Sequence, residues 1–380
     1  MISFRRAEAV PAPQYHPAPG NRLTLYTDGD RAFEAAYDAI RNATDRVWLE
    51  TYIFEPDEVG NMARDALAEA ALRGCSVILL FDRWGSPKIG LKYARPIVEA
   101  GGRVAVYNPV LPWKKIGRKI APVFYRDHRK ILITDEIAFC GGANVSIDYG
   151  GPGPELFFDL TLKIDGPCVQ DLAAVFLESL EVTAGGAPPV PVRPKPNPGG
   201  SVAQVLVLNR RRKKRDLDLA LQQALDLASK TCFIMTPYFV PPDWFNEGLI
   251  AASRRGVDVR LMTAGLSDVP LARIAGRHLY TGLLEAGVRV FELKDPVLHA
   301  KSITIDGRYS IVGSYNVDAY GGKYNLEVGV STTERELANQ LEREFERRTL
   351  DSDEIDLETR RRLPMTDRVV EAVFFRLLSV

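Results

Sequence analysis

Apolar residues along this chain recur in two patterns that alternate from one segment to the next. Phe33, Tyr37 and Ile40 are spaced by three and four residues, which predicts an amphipathic helix. A longer stripe with the same spacing consists of Leu217, Ala220, Leu221, Ala224, Leu225 and Ala228. Short β-branched runs, such as residues 77–81, predict strands between such helices. Helices that alternate with short strands predict a layered α/β fold.

The same order of elements is predicted on both sides of residues 184–200. A helix that ends at Gly74 precedes a strand at 77–81, and one that ends at Gly256 precedes a strand at 257–262. Residues 97–106 (IVEAGGRVAV) then resemble residues 283–290 (LLEAGVRV). The segment between the copies, AGGAPPVPVRPKPNPGG, has six prolines and four glycines and is predicted to be a linker.

We therefore predict two similar halves that pack together, with two independent domains on a flexible tether as the alternative. The predicted boundaries are a flexible segment at 1–20, a first half at 21–183, the linker at 184–200, a second half at 201–349 and a C-terminal helical tail at 350–380.

Composition and charge narrow the class of protein. Lys plus Arg equals Asp plus Glu at 49 each, so no overall field attracts nucleic acid. No apolar run reaches the roughly 18 residues of a membrane span, and the N-terminus lacks a signal-peptide core, which predicts a cytoplasmic protein. The scattered cysteines indicate neither a disulfide framework nor a zinc site.

One chemical motif, HxKxxxxD followed by a glycine-containing segment and Asn, occurs once in each half. Its members are His128, Lys130, Asp135 and Asn144, and His299, Lys301, Asp306 and Asn316. In an extended strand the His and Lys point to the same face, and the Asp is predicted in the turn after the strand. A single copy is a weak signal, but two copies in a duplicated chain strongly indicate one shared site.

Two later carboxylates, Asp159 and Glu327, are predicted to hold a histidine in one tautomer. In such a site two lysines stabilise a phosphodiester transition state, and two asparagines donate to phosphate oxygens. One imidazole attacks phosphorus while the other protonates the leaving alkoxide, and the two titrate as a coupled pair. This chemistry requires neither a metal nor another cofactor.

The paired motifs, with GGxN at 141–144 and GSxN at 313–316, resemble the signature of the phospholipase D superfamily. Residues 48–60 (WLETYIFEPDEVG), 82–86 (DRWGS) and 126–130 (RDHRK) resemble bacterial cardiolipin synthases, and the resemblance covers roughly residues 21–348. It implies two phospholipase D-like α/β/α halves about a pseudo-twofold axis with one shared active site. It also implies phosphatidyl transfer from a phospholipid to the hydroxyl of phosphatidylglycerol, with His128 as the nucleophile that becomes a phosphohistidine.

The two copies are not identical, which predicts non-equivalent half-sites. The first is one residue shorter between Asp and Asn, and its later carboxylate is Asp159 where the second copy has Glu327. Three alternatives to phosphatidyl transfer remain: phospholipase D hydrolysis, a nucleic-acid phosphodiesterase or binder, and an inactive scaffold.

Three segments are candidates for contact with an anionic membrane surface. Residues 111–120 (LPWKKIGRKI) and 210–215 (RRRKKR) are basic, although either could be an ordinary solvated loop. Residues 368–380 form an apolar helix that we expect to dock on the body rather than in the interface. We expect a peripheral enzyme on the cytoplasmic side of the membrane, with a phospholipid substrate, no nucleic-acid ligand and no obligate protein partner.

Overall fold

The computed structural model describes residues 15–108, 124–152, 156–184 and 186–379. Its strands are β1 (Ala18–Tyr26), β2 (Arg46–Thr51), β3 (Ser76–Asp82), β4 (Arg103–Tyr107), β5 (Ile131–Thr134), β6 (Ile137–Gly141), β7 (Phe157–Phe158), β8 (Thr161–Asp165), β9 (Ser201–Asn209), β10 (Lys214–Arg215), β11 (Thr231–Met235), β12 (Asp258–Ala264), β13 (Arg289–Leu293), β14 (Val297–Leu298), β15 (Ser302–Ile305), β16 (Tyr309–Gly313), β17 (Glu327–Thr332) and β18 (Ser352–Glu354).

Its helices are α1 (Gly29–Asn42), α2 (Glu58–Leu72), α3 (Leu91–Glu99), α4 (Cys168–Ala184), α5 (Asp216–Leu227), α6 (Asp243–Arg254), α7 (Pro270–Arg277), α8 (Tyr280–Glu285), α9 (Ala319–Tyr324), α10 (Arg335–Thr349), α11 (Leu357–Arg361) and α12 (Met365–Leu378). Among the described helices, none is long and apolar enough to cross a membrane. The predicted basic loop at 111–120 lies outside the described residues.

One continuous sheet runs through both halves. From its centre the first half has the strand order β1-β8-β6-β5-β2-β3-β4, and the second has β9-β17-β16-β15-β11-β12-β13, followed by β18 at the edge. These orders are equivalent strand by strand, and β1 pairs antiparallel with β9 where the halves meet. The structure therefore confirms two α/β halves about a pseudo-twofold axis. Two independent domains on a tether would not share a sheet.

Glycines end the equivalent helices of the two halves in the same backbone conformation. Gly74 and Gly101 have φ of 95° and 94°, and Gly256 and Gly287 have φ of 92° and 93°. A left-handed residue closes the last helical turn, and glycine adopts it without a Cβ clash. The repeated order of helix, glycine and strand is thus confirmed.

The hydrophobic core is also shared between the halves. Helix α4 is apolar on almost every face, and its Phe176 stacks on Trp48 of β2 with ring centroids 5.5 Å apart. The same cluster includes Val207 of β9 and Phe345 of α10. A helix that is buried all round needs partners on all sides, which here come from both halves. The four cysteines are free and buried.

The segments that flank the halves are more closely attached than the predicted boundaries implied. Strand β1 begins at Ala18, which pairs with Ala203, so the flexible segment predicted at 1–20 extends too far. In the linker, Asn197 Nδ2 donates to Asp165 O at 2.9 Å. At the C-terminus, helix α12 packs on α7, with Phe375 and His278 ring centroids 5.0 Å apart. The tail docks on the body, as expected.

Candidate active site

The two HxK segments are buried and precede equivalent strands. His128 and Lys130 come just before β5, and His299 and Lys301 just before β15. Each lysine folds back on its own motif: Lys130 Nζ donates to His128 O at 2.7 Å, and Lys301 Nζ donates to His299 O. Each half therefore contributes one imidazole and one ammonium group.

Each histidine is paired with a carboxylate from the opposite half. His128 Nδ1 lies 3.0 Å from Glu327 Oε1, and His299 Nδ1 lies 2.5 Å from Asp159 Oδ2. A carboxylate at Nδ1 fixes the tautomer and leaves Nε2 as the reactive nitrogen. The role predicted for these carboxylates is consistent with this geometry, but the exchange between halves is visible only in the structure.

Backbone pairing between the halves produces this exchange. His128 N donates to Leu326 O at 3.0 Å, which places Glu327 beside the first imidazole. His299 N donates to Phe158 O at 2.8 Å, which places Asp159 beside the second. Strands β7 and β14 form the two-stranded parallel sheet that holds the second arrangement. The halves therefore meet through main-chain hydrogen bonds at His128 and His299 themselves.

Burial and the two lysines set the charges of the site. Burial lowers the pKa of Lys130 to about 7 and of Lys301 to about 8, and the charge of Lys301 lowers that of Lys130 further. Burial likewise lowers the pKa of His128 well below its ordinary value and that of His299 to about 4. Since Lys130 and Lys301 each lower the pKa of both imidazoles, the four side chains lie close together in one site.

The pKa values of the two carboxyl groups shift in opposite directions, in keeping with the predicted non-equivalence of the half-sites. Burial raises the pKa of Glu327 to about 8, against the opposing charge of Lys130. Burial alone would raise the pKa of Asp159 too, but Lys301 and His299 hold it below its ordinary value. Asp159 is therefore the stronger stabiliser of an adjacent imidazolium.

A tyrosine that sequence reasoning missed contacts the second histidine. The hydroxyl of Tyr149 lies 3.3 Å from His299 Nε2, and its ring meets the imidazole edge-on with centroids 5.1 Å apart. Asn144 Nδ2 donates to this hydroxyl at 2.7 Å, and Asn144 Oδ1 accepts from Ile53 N at 3.1 Å. The signal for Tyr149 in the sequence was its place five residues after Asn144.

The two asparagines differ in their surroundings. We expected both to donate to phosphate, but the Asn144 amide is engaged with protein groups on both sides. Asn316 is buried, and within the described part of the chain its Oδ1 has no hydrogen-bond partner. Asn316 is thus the more available of the pair.

Asp135 and Asp306 were predicted as catalytic residues, and the structure places them elsewhere. Asp135 lies at the far end of β5, about 16 Å along the chain from Lys130 at roughly 3.3 Å per residue. Its carboxylate accepts from the backbone of Thr44, Asp45 and Arg46 at 2.9 to 3.0 Å.

Asp306 has the equivalent role in the second half, where it accepts from the backbone of Ser229, Lys230 and Thr231. The residues Asp135 and Asp306 adopt left-handed φ of 50° and 54° in their turns, a conformation that Asp tolerates. Their place in a turn was predicted, and their hydrogen bonds tie that turn to the neighbouring strand.

Buried ion pairs surround the residues next to His128, and these pairs were not predicted. Arg126 pairs with Asp82 at 3.0 Å, and Arg129 pairs with Asp127 at 3.3 Å and with Glu50 at 3.8 Å. The residues that flank His299 are instead the apolar Leu298 and Ala300. The main chain beside His128 is therefore held by charges, and that beside His299 by packing.

Comparison with known proteins identifies the family. The family model described as "Cardiolipin synthase, PLD-like domain" matches residues 37–178 and 221–349, one segment in each half. The chain belongs to this family. Its members carry the phospholipase D-like fold, so the chain is an enzyme of the phospholipase D superfamily, as the paired motifs predicted.

Curated relatives of this family match most of the chain. Cardiolipin synthase B of Escherichia coli K12 is 33% identical over 328 residues, which cover 85% of this chain and 79% of the relative. Cardiolipin synthase 1 of Bacillus anthracis is 30% identical over 370 residues, which cover 93% of this chain and 71% of the relative. Cardiolipin synthase A of Pseudomonas fluorescens SBW25 is 30% identical and covers 85% of this chain and 67% of its own length.

Solved structures agree on the fold. The phosphatidylserine synthase of Haemophilus influenzae superposes with a TM-score of 0.72 at 15% identity, and the match covers 93% of both chains. A polyphosphate kinase from Porphyromonas gingivalis superposes with a TM-score of 0.56 at 15% identity, over 86% of this chain and 50% of the kinase.

Proposed function

We propose that this chain is a phosphatidyltransferase that makes cardiolipin by transferring a phosphatidyl group to the hydroxyl of phosphatidylglycerol. The observation that carries the proposal is the pair of buried histidines, each oriented by a carboxylate of the opposite half and accompanied by a lysine. The similarity to cardiolipin synthases selects lipid as the phosphodiester. The enzyme works peripherally, at the anionic cytoplasmic face of the membrane.

In the first step the neutral imidazole of His128 attacks phosphorus through Nε2, forming a P–N bond. The negative phosphodiester raises the pKa of His299 when it binds, and as the P–O bond to the departing headgroup breaks, the resulting imidazolium gives its proton to that oxygen. Anionic Asp159 offsets the burial of the imidazolium, while Glu327 keeps the proton of His128 on Nδ1. Lys130 and Lys301 neutralise the non-bridging oxygens of the pentacoordinate centre.

In the second step neutral His299 takes a proton from the hydroxyl of phosphatidylglycerol. The resulting oxygen attacks phosphorus, the P–N bond to His128 breaks, and a new phosphodiester leaves with both diacylglycerol groups. If water takes the place of the lipid hydroxyl, the product is phosphatidic acid. Transfer and hydrolysis therefore share every protein group and differ in the acceptor.

The deciding experiment is mass spectrometry of lipids after the purified chain meets phosphatidylglycerol vesicles, with and without phosphatidylethanolamine. Cardiolipin is the expected product, and phosphatidic acid alone would make the protein a hydrolase. No change in lipid would contradict both lipid reactions, and single-stranded DNA would be the next substrate to try. Chelator should leave the activity intact.

Variants of the two histidines test the mechanism. His128→Ala and His299→Ala should each lower turnover by at least about a hundredfold, whereas His278→Ala, at the α7–α12 contact, should retain it. With a phosphatidyl donor whose leaving group is p-nitrophenolate, which departs without a general acid, His299→Ala should accumulate a phosphatidyl adduct on His128 in mass spectrometry, because the second step lacks its base. An adduct on His299 in the His128→Ala variant would reverse the two roles.

A further inference from the structure

Aromatic residues from both halves cluster at one edge of the inter-half contact. Tyr324 of α9 lies 6.2 Å from Phe124, 5.6 Å from Tyr125 and 5.0 Å from Tyr320, measured between ring centroids. Phe124 and Tyr320 are 59% and 40% exposed. Isolated exposed aromatics are common, but a cluster of them marks a contact surface. We call these four residues the aromatic rim.

The rim lies next to the catalytic residues along both chain segments. Tyr125 precedes His128 by three residues, and Tyr324 precedes Glu327 by three. The two segments are joined by a hydrogen bond from Leu326 N to Arg126 O at 2.8 Å. Three extended residues span about 10 Å, so the rim lies within about 10 Å along the chain of the His128 side of the site.

Two cations accompany the rim. The Arg211 guanidinium lies 5.0 Å from the Tyr125 ring centroid, and Lys323 Nζ lies 5.1 Å from that of Tyr324. Across the described ranges neither has an ion pair with a carboxylate, in contrast to most of the basic run at 210–215. Within this run, Arg210 and Arg215 form ion pairs with Asp218, and Arg212 and Lys214 form ion pairs with Glu178.

We propose that the aromatic rim, with Arg211 and Lys323, is the surface that docks the enzyme on an anionic phospholipid bilayer. Aromatic rings favour the boundary between acyl chains and headgroups, and cations near it are attracted to anionic lipid. Docking here brings the His128 side of the site close to the bilayer, so that a lipid headgroup can reach His128 without leaving the membrane. This inference rests on the proposed function for its choice of partner.

Vesicle co-sedimentation of the full chain tests the surface without turnover. The double variant Phe124→Ser/Tyr320→Ser should bind phosphatidylcholine vesicles containing phosphatidylglycerol about tenfold less tightly. The double variant Arg211→Glu/Lys323→Glu should lose about tenfold on those vesicles and also lose the salt dependence of binding. The matched controls are Leu72→Ser, at an exposed position on α2, and Lys195→Glu, at an exposed position in the linker.

Turnover of short-chain phosphatidylglycerol below its micellar concentration separates docking from chemistry. Rim variants that bind vesicles poorly but retain this turnover within about threefold support the proposal. Binding equal to the parent chain, equal losses in the controls, or loss of monomer turnover would each overturn it. Rim-dependent vesicle binding without turnover of any lipid would uphold docking while refuting the proposed function.

Discussion

His128 Nδ1 lies 3.0 Å from Glu327 Oε1, although 199 positions separate the two residues and each belongs to a different half of the chain. The matching contact joins His299 to Asp159. Because the carboxylates serve opposite imidazoles, replacing Glu327 and replacing Asp159 should affect the two chemical steps in different proportions. This gives the two carboxylates separable kinetic signatures.

Glu327→Gln should slow formation of the phosphatidyl adduct, because the amide NH2 can donate to Nδ1 of His128 and so no longer holds the imidazole proton there. Asp159→Asn should slow both proton transfers by His299, because the imidazolium loses its anion. We expect each to lower kcat by about 10²- to 10⁴-fold, measured by single-turnover mass spectrometry. Asp171→Asn, which removes a buried partner of Arg193 away from the site, is the control and should stay near the parent rate. Equal effects of Glu327→Gln on both steps, or an effect of Asp159→Asn on adduct formation alone, would argue against the cross-half assignment.

Tyr149→Phe should lower kcat by up to about tenfold with little change in KM. The variant keeps the ring against His299 but removes the hydroxyl that bridges Asn144 and Nε2. Steady-state kinetics on phosphatidylglycerol vesicles provide the measurement. The control is Tyr309→Phe, which changes a tyrosine away from the site. A large rise in KM for Tyr149→Phe would instead indicate that Tyr149 binds substrate.

Asp135→Asn and Asp306→Asn should each lower the free energy of unfolding by about 1–2 kcal/mol while leaving turnover unchanged. Asn also adopts the left-handed φ of this turn, but its side chain has one acceptor oxygen where the carboxylate has two. Denaturant unfolding and lipid turnover together check this, with Asp45→Asn as the neighbouring surface control. A hundredfold loss of turnover in a variant that stays folded would support the catalytic role predicted for the aspartate.

The turn at Asp135 should also make the free energy of unfolding depend on pH in the acid range. Burial opposes ionisation of Asp135, but backbone donors hold its pKa below the ordinary value. The stabilisation is therefore complete above the unfolded-state pKa of about 4 and is lost as pH falls through the folded-state value. The difference in unfolding free energy between the parent and Asp135→Asn should shrink in that acid range.

The two lysines predict an alkaline limit to activity. Their pKa values of about 7 and about 8 mean that the pocket loses its positive charge as pH rises through that range. We expect kcat/KM for the anionic phospholipid to fall by about tenfold per pH unit above about pH 8. Lys130→Arg, if active, should move this fall in kcat/KM to higher pH, because the guanidinium group stays charged. A profile that is flat to about pH 10 would contradict charge neutralisation by these lysines.

Much of the architecture could be predicted from the sequence because its signals are local. Helical stripes, stop glycines such as Gly74 and Gly256, and the proline linker each depend on a few neighbouring residues. The histidines and lysines could be placed together because their motif occurs twice, and duplication implies a twofold relation. The position of Asp135 away from the histidines was not predicted, because membership of a motif does not reveal which end of a strand a side chain occupies.

What could not be predicted depends on contacts between distant segments. The exchange of Glu327 and Asp159 follows from main-chain pairing at Leu326 and Phe158, which no periodicity records. Tyr149 reaches His299 across the interface between the halves, and the charges around Arg129 have no counterpart in the second copy to mark them.

The exchanged carboxylates bear on the ancestry of the fold. A single ancestral half would carry a histidine without its own orienting carboxylate, so it would have needed a second copy of itself, giving one site for every two chains. Fusion of the two copies into one chain freed them from identity. One copy could then keep aspartate and the other glutamate, and one imidazole could specialise in attack while the other specialised in moving protons.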